Sequence, residues 1–238
     1  MDPKQEQSVR RRRLHPEGAL LLTGMVVLFA FTLIYLYYAY RTRVAFWITA
    51  PCLFILSVLA FRFFRFPNRV YPGEEGGAVV APSDGVVVVI EEVFEPEVLR
   101  CNCIQMSIFM SIFDVHAQWV PVEGRATYVR HHSGQYMPAY LPKSSVQNER
   151  STILFETKEG QRVLMRQVAG AVARRVVTYL EEGKWYRHNE DLGFIKFGSR
   201  IDLYLPLGSE ICVQLDDPVR GNLSTLARLP KSPLQESE

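Results

Sequence analysis

The pattern of apolar and polar positions divides the chain into two unlike parts. The stretch 19–61 carries only two charged side chains, Arg41 and Arg43, and forms two apolar runs, at positions 19–40 and 44–61. A membrane-spanning helix needs about 20 predominantly apolar residues. The two runs therefore predict a tight hairpin of two transmembrane helices. A cleaved signal peptide fits less well, because the first run is too long and no small-residue cleavage site follows it.

Positive charges around the hairpin predict its orientation. Five Lys or Arg residues precede the first run, three follow the second at Arg62, Arg65 and Arg69, and two lie between the runs. Positive charges concentrate on the cytoplasmic side of a membrane. We therefore expect a basic cytoplasmic tail over 1–18, a membrane hairpin over 19–66 and a cytoplasmic domain over 67–238. Two buried helices of a soluble core are the alternative, although such helices rarely lack a polar face.

Short runs rich in β-branched and aromatic residues fill the third segment and alternate with turn residues, which is typical of strands. One stretch, 172–180, has apolar residues at helical spacing. The pattern predicts a mostly-β (α+β) domain with one or two short helices and a polar tail over 230–238. The predicted strands are 78–81, 85–92, 103–109, 124–129, 151–157, 162–168, 193–196, 201–205 and 210–215.

Composition excludes several classes of function. The net charge of +2 and the scattered basic residues do not favour a nucleic-acid partner. No glycine-rich nucleotide loop and no His, Cys or Glu spacing typical of a metal site occurs. The four cysteines, at 52, 101, 103 and 212, are expected to be reduced and mostly packed, as in other cytosolic proteins.

Three residues could carry nucleophilic chemistry. Asp84 precedes a strand in an Asp-Gly turn, His116 ends an apolar run, and Ser199 follows Gly198 between two predicted strands. Taken one at a time, each is more typical of a turn or a core position. A serine hydroxyl becomes a good nucleophile when a base takes its proton, and that base is usually a histidine oriented by a carboxylate. Together the three residues supply these three side-chain types. Spacing alone does not establish that they meet.

Motifs around these residues resemble a known family. The block 193–206 (GFIKFGSRIDLYLP) is similar to the processing site of the short, bacterial and archaeal type of phosphatidylserine decarboxylase. The segments 81–85 (APSDG), 107–116 (SIFMSIFDVH), 148–150 and 168–177 resemble further family motifs, and the family also has an N-terminal hydrophobic hairpin. The chain departs from the pattern in two places: Ser83 replaces a frequent Ala, and Ala-Gln-Trp at 117–119 replaces a Val-Asn-Arg-like run.

The resemblance implies a self-processing enzyme with a pyruvoyl cofactor. His116, oriented by Asp84, would deprotonate Ser199, whose oxygen would attack the Gly198 carbonyl and cut the chain before Ser199. The products would be a β chain, 1–198, and an α chain, 199–238, which begins with the pyruvoyl group made from Ser199. A Schiff base with phosphatidylserine would permit loss of CO2 to give phosphatidylethanolamine. His116 would return the proton.

The hairpin would hold this domain on the cytoplasmic face of the cell membrane. The sequence leaves open whether copies assemble into a homo-oligomer. Two other functions also remain open. The β runs resemble a membrane-anchored lipoyl-like or adaptor-like module, which would not be processed. A serine hydrolase built on Ser199, His116 and Asp84 would likewise stay uncleaved.

Overall fold

The computed structural model describes residues 14–39, 43–73, 77–134, 148–170, 176–196 and 199–231. The chain forms two compact units that divide between residues 68 and 69. The described part contains two helices in the first unit and fourteen strands in the second. Gly198, most of the tail 1–18, and positions 172–175 of the predicted helix lie outside it.

The first unit is a hairpin of two apolar helices, α1 (Pro16–Ala39) and α2 (Val44–Phe63). Tyr37 near the end of α1 contacts Phe46 near the start of α2, with ring centroids 5.6 Å apart. At the other end the amide of His15 donates to the carbonyl of Phe64, 2.8 Å away. The helices are therefore antiparallel, which confirms the predicted hairpin.

The outer surface of the hairpin is apolar. Leu20 is 88% exposed and Trp47 is 71% exposed, and other large apolar side chains of both helices also face outward. Both helices are long and apolar enough to cross a membrane. A helix that exposes apolar side chains all round suits a lipid environment better than water. Pro51 lies within α2, where membrane helices tolerate it.

The second unit is mostly β, as the sequence predicts. Its strands are β1 (Ala78–Val80), β2 (Gly85–Glu95), β3 (Cys101–Met110), β4 (Ala117–Trp119), β5 (Gly124–His132), β6 (Arg150–Glu156), β7 (Arg162–Val168), β8 (Val176–Thr178), β9 (Trp185–Tyr186), β10 (Asp191–Ile195), β11 (Ser199–Pro206), β12 (Glu210–Ile211), β13 (Pro218–Val219) and β14 (Thr225–Arg228).

Three antiparallel sheets make up this unit. The large sheet has the strand order β13-β2-β3-β11-β7-β6-β5-β9, and the two small sheets have the orders β1-β14-β12 and β4-β10-β8. The main core includes Met106 and Ile108 of β3, Ile201 and Leu203 of β11, and Phe155 of β6, all fully buried. The central strands β3 and β11 thus contribute side chains to this core along most of their length.

Two sequence predictions are wrong in part. Val176–Thr178 is a strand rather than the end of a helix, because it pairs with β10 in a small sheet. All four cysteines are free as expected, but Cys52 and Cys212 are exposed rather than packed. Cys103 is buried, and burial, followed by the nearby Cys101, raises the pKa of its thiol to about 11. Cys103 is therefore a packed thiol rather than a nucleophile.

Candidate active site

Ser199 lies at the beginning of a central strand of the large sheet. It is the first residue of β11, pairs with Met110 of β3, and is fully buried. Its hydroxyl makes no hydrogen bond with any residue that the structure describes. A buried polar group without a partner costs about 1–3 kcal/mol, and such groups often have a catalytic reason. The hydroxyl is thus engaged in no structural hydrogen bond among the described residues, and no hydrogen bond joins it to His116.

His116 lies between a tight turn and β4, and its side chain is buried. Its Nδ1 is 3.1 Å from the carbonyl oxygen of Asp114. A carbonyl can only accept a hydrogen bond, so Nδ1 carries the proton in this contact and Nε2 of the neutral ring keeps a lone pair. The imidazole also lies beside the ring of Phe194, with centroids 6.4 Å apart. This arrangement suits a base that accepts a proton at Nε2.

Asp84 is held by a guanidinium group and a backbone amide. Arg69 donates from Nη1 to Oδ1 and from Nη2 to Oδ2 of Asp84, the second bond being 2.9 Å long. The amide of Gly221 donates to Oδ1 over 2.9 Å. These are all the hydrogen bonds of the carboxylate among the described residues, and none goes to His116. The orienting role of Asp84 toward His116 therefore stays a prediction.

The backbone brings the three segments to the same end of the large sheet. The amide of Trp119, in β4, donates to the carbonyl of Pro82 over 2.9 Å, which links the histidine strand to the aspartate loop. Ala117, next to His116, pairs with Phe194 of β10, whose chain leads on to the serine. Segments that are far apart in sequence thus converge where the three candidate residues lie.

Two glycines permit this convergence. A Cβ on Gly85 would overlap the backbone oxygen of Phe109 in β3. A Cβ on Gly221 would lie 2.8 Å from the Trp119 ring and 2.9 Å from the backbone of Ser83. Any side chain at either position would push the aspartate loop away from its neighbours.

Comparison with known proteins gives the family. A model of the phosphatidylserine decarboxylase family matches residues 56–227. A protein of Parabacteroides distasonis, named phosphatidylserine decarboxylase proenzyme, is 48% identical over 92% of this chain and all of its own length. Proteins of the same name from Bacteroides thetaiotaomicron and Cytophaga hutchinsonii are 45% and 39% identical, over 94% and 90% of this chain and 98% and 97% of their own. The chain belongs to the phosphatidylserine decarboxylase family.

Membership in the phosphatidylserine decarboxylase family confirms the resemblance drawn from the motifs around Asp84, His116 and Ser199. It leaves the lipoyl-like or adaptor-like module without support. The roles of these three residues stay predictions. The bond between Gly198 and Ser199 is also a prediction as a cleavage site, since Gly198 is outside the described residues.

Sequence reasoning missed Arg69 as a partner of the site, because it stands among the positive charges that flank the second apolar run. In the structure its guanidinium binds both carboxylate oxygens of Asp84 and also the carbonyl of Gly221, at 3.1 Å. It also lies over the Trp119 ring, 5.8 Å from the centroid. No motif in the sequence links Arg69 to Asp84, so only the fold reveals this pair.

A buried polar cluster next to Ser199 was also missed. Arg200 Nε is 2.8 Å from Asp202 Oδ1, and the hydroxyl of Ser107 in β3 donates to the same oxygen over 2.6 Å. Charge-assisted contacts of this kind are shorter and stronger than neutral ones. The bond from Ser107 to Asp202 joins β3 to β11 three residues beyond the candidate nucleophile.

The residues at 118 and 119, which depart from the family pattern, are both buried. Gln118 accepts a hydrogen bond from Gln167 of β7. Gln167 in turn accepts one from Thr178 of β8, which also lies 2.9 Å from the hydroxyl of Ser151. Trp119 packs against Gly221 and Arg69. In this chain, these two positions therefore join the small sheet to the large one and support the aspartate loop.

Proposed function

We propose that this chain is a self-processing, membrane-anchored enzyme that converts phosphatidylserine to phosphatidylethanolamine through a pyruvoyl group formed from Ser199. The observation that carries the proposal is the buried hydroxyl of Ser199, which has no hydrogen bond among the described residues and lies at the start of β11. The names of the relatives support it, since each is a phosphatidylserine decarboxylase proenzyme.

Processing begins when Nε2 of His116 takes the proton of the Ser199 hydroxyl. The oxygen attacks the carbonyl carbon of Gly198, the peptide C–N bond breaks, and the proton passes to the nitrogen of Ser199, which leaves an ester. Elimination then transfers the proton on Cα of residue 199 to a base, breaks the bond between Cβ and the ester oxygen, and releases Gly198 as a carboxylate. Water replaces the nitrogen of the remaining dehydroalanine, which gives ammonia and the pyruvoyl ketone.

The surroundings of residue 199 fit a pyruvoyl group formed at that position. The residue is fully buried and pairs with Met110 of β3, and the strand that it begins lies between β3 and β7. Burial limits the access of bulk water, which would compete for a reactive carbonyl. The pyruvoyl ketone supplies an electron sink for the carbanion that forms when CO2 leaves an amino acid.

Residues of the chain itself supply the remaining steps of turnover. In each turnover His116 takes up a proton from water and delivers it from Nε2 to the carbon that has lost CO2. Asp84, whose carboxylate is fixed by Arg69, is the group that orients the His116 ring. The two apolar helices hold the domain at the membrane that contains the substrate, with both termini on the cytoplasmic face as the Arg distribution predicts.

The test compares the wild type with Ser199→Ala before any substrate is added. On a denaturing gel we expect two fragments, 1–198 and 199–238, for the wild type and one uncut chain for the variant. Mass spectrometry should show a pyruvoyl group at the N-terminus of the smaller fragment. The rate of decarboxylation by the variant should fall roughly a thousandfold or more, because no pyruvoyl group can form without the serine hydroxyl.

Ser209→Ala is the matched control. Ser209 lies in the same C-terminal fragment and its hydroxyl donates to the carbonyl of Pro206, so cleavage should proceed in this variant. A wild-type protein that stays uncut and reacts at Ser199 with a fluorophosphonate probe would instead be a serine hydrolase. A Ser199→Ala chain that is cut as readily as the wild type would overturn the proposal.

A further inference from the structure

The turn between β3 and His116 exposes two adjacent large apolar side chains. Ile112 is 53% exposed and Phe113 is 54% exposed. Turns usually present Gly, Pro, Asn, Asp or Ser at their tips, because these residues suit the backbone conformation and water. Ser111 and Asp114 follow this rule at the two flanks. The chemistry of the turn therefore does not account for the Ile-Phe pair at its tip.

The backbone of this turn is hydrogen-bonded within the turn itself. The amide of Asp114 donates to the carbonyl of Ser111 over 3.0 Å, and the amide of Ser111 donates to Oδ2 of Asp114 over 2.7 Å. The amide of Phe113 donates to the hydroxyl of Ser111 over 3.3 Å. A segment can enter an apolar medium at low cost only when its polar backbone groups have partners. The amides of Ser111, Phe113 and Asp114 meet this condition, while Ile112 and Phe113 still expose their apolar side chains.

The turn adjoins the candidate active site. It follows Met110, which pairs with Ser199, and it precedes His116. The opposite end of the same β2–β3 hairpin carries Phe94, which is 60% exposed and pairs with Asn102. The distance from Asn102 to Met110 along β3 is about 26 Å at the usual rise of a strand. Phe94 is thus a comparably exposed phenylalanine remote from the site.

We propose that the turn 111–114 inserts Ile112 and Phe113 into the surface of the lipid bilayer and so holds the active site at the depth of the phospholipid headgroup. Apolar and aromatic side chains that project from a protein bind the interfacial region of a bilayer in this way. A bilayer is the occupant favoured here because the same chain carries two helices able to cross a membrane. The inference relies on the proposed function only for the identity of the lipid substrate.

The first test places a photoreactive benzoyl-phenylalanine at position 113 or, as the matched control, at position 94. The full chain is reconstituted in vesicles of phosphatidylcholine, illuminated, and analysed by mass spectrometry. We expect lipid adducts at position 113 and few or none at position 94. Equal lipid labelling at both positions, or none at 113, would contradict the proposal.

A protein–protein adduct at 113 in place of a lipid adduct would identify the turn as a protein interface and would also overturn the proposal. This readout needs neither cleavage nor turnover, and the vesicles contain no phosphatidylserine. Its failure is therefore distinguishable from a failure of the proposed function.

The second test measures turnover with Phe113→Ser and with Phe94→Ser. The quantity compared is the ratio of turnover on phosphatidylserine in vesicles to turnover on short-chain phosphatidylserine dissolved as monomers. Loss of one partly inserted aromatic side chain should lower this ratio about tenfold for Phe113→Ser. Phe94→Ser should leave the ratio at the wild-type value. Ile112→Ser serves as a second variant should Phe113→Ser fail to fold. A ratio equal to that of the wild type in both variants would contradict the inference.

Discussion

The two faces of β11 differ in chemistry although the same strand presents both. Ile201, Leu203 and Leu205 project to one face and join the main apolar core. Arg200, Asp202 and Tyr204 project to the other, where all three are also buried. Side chains alternate between the faces of a strand, so a shift of one residue in the pairing would exchange them. The contrast therefore makes the register of this strand strongly specified.

The polar face is organised around a second buried cation, Arg166 of β7. Its guanidinium bonds Glu95 at 2.5 Å, Glu97 at 3.0 Å and the hydroxyl of Tyr204 at 3.1 Å. Burial by itself would raise the pKa of Glu95, but three backbone amides, at Glu97, Val98 and Leu99, and the charge of Arg166 lower it overall. The apolar face thus stabilises the fold through burial. The polar face adds hydrogen bonds and ion pairs that can form in only one register of the strands.

The largest expected effect comes from breaking the polar face. Arg166→Met leaves the buried Glu95 carboxylate without its cation, so we expect a loss of about 3–5 kcal/mol in the free energy of unfolding. Arg130→Met is the control, because Arg130 pairs with Glu182 on the surface and should contribute less than about 1 kcal/mol. Denaturant unfolding of the full chain in detergent measures both. Equal losses of free energy in the two variants would show that burial of the Arg166–Glu95 pair is unimportant for stability.

A cavity on the apolar face of β11 should lower the free energy of unfolding somewhat less than Arg166→Met does. Leu203 is fully buried in the main core, and Leu203→Ala should cost about 3 kcal/mol through lost burial and the space left behind. Leu215→Ala, at a position 55% exposed, should change stability by less than about 0.5 kcal/mol. Below its unfolding temperature the Leu203→Ala chain should still be cut before Ser199. A folded but uncut chain would show that this face also sets the geometry of processing.

The smallest expected effect is a dependence on pH. Because the folded state lowers the pKa of Glu95 below its ordinary value of 4.5, this carboxylate stabilises the fold above that value. The contribution is lost as the pH falls through the lowered pKa of the folded state. Arg166→Met removes one cause of the lowering, so acid unfolding should begin at a higher pH than in the wild type. An acid titration followed by circular dichroism measures this, and an unchanged or lower midpoint would contradict the assignment.

Long strands are predictable from the sequence, whereas several of the short ones are not. The predicted strand 162–168 has the bounds of β7, because its apolar run of Val, Leu and Met lies between a glycine turn at 160 and the glycine at 170. Pro218–Val219 and Trp185–Tyr186 are too short to show any period, and they become strands only by pairing with β2 and β5. The same cause explains Val176–Thr178, where pairing with β10 overrides a helical pattern.

The sequence predicts which residues belong to the candidate site, but it does not predict which of their side chains contact one another. Asp84, His116 and Ser199 stand in motifs that a known family shares, so the sequence indicates them individually. The pair of Arg69 with Asp84 and that of Arg166 with Glu95 join residues 15 and 71 positions apart. No local pattern links residues so separated, and only the arrangement of the strands brings them together.

The position of β11 between β3 and β7 has a consequence for the cut chain. The segment from Ser199 onward supplies β11 and β13 to the large sheet and β12 and β14 to a small one, while most of their partners come from the part before the cut. Once the backbone is severed as proposed, the two fragments can part only if these ladders open together. Their dissociation is therefore as slow as unfolding of the whole domain, and dilution alone does not separate them.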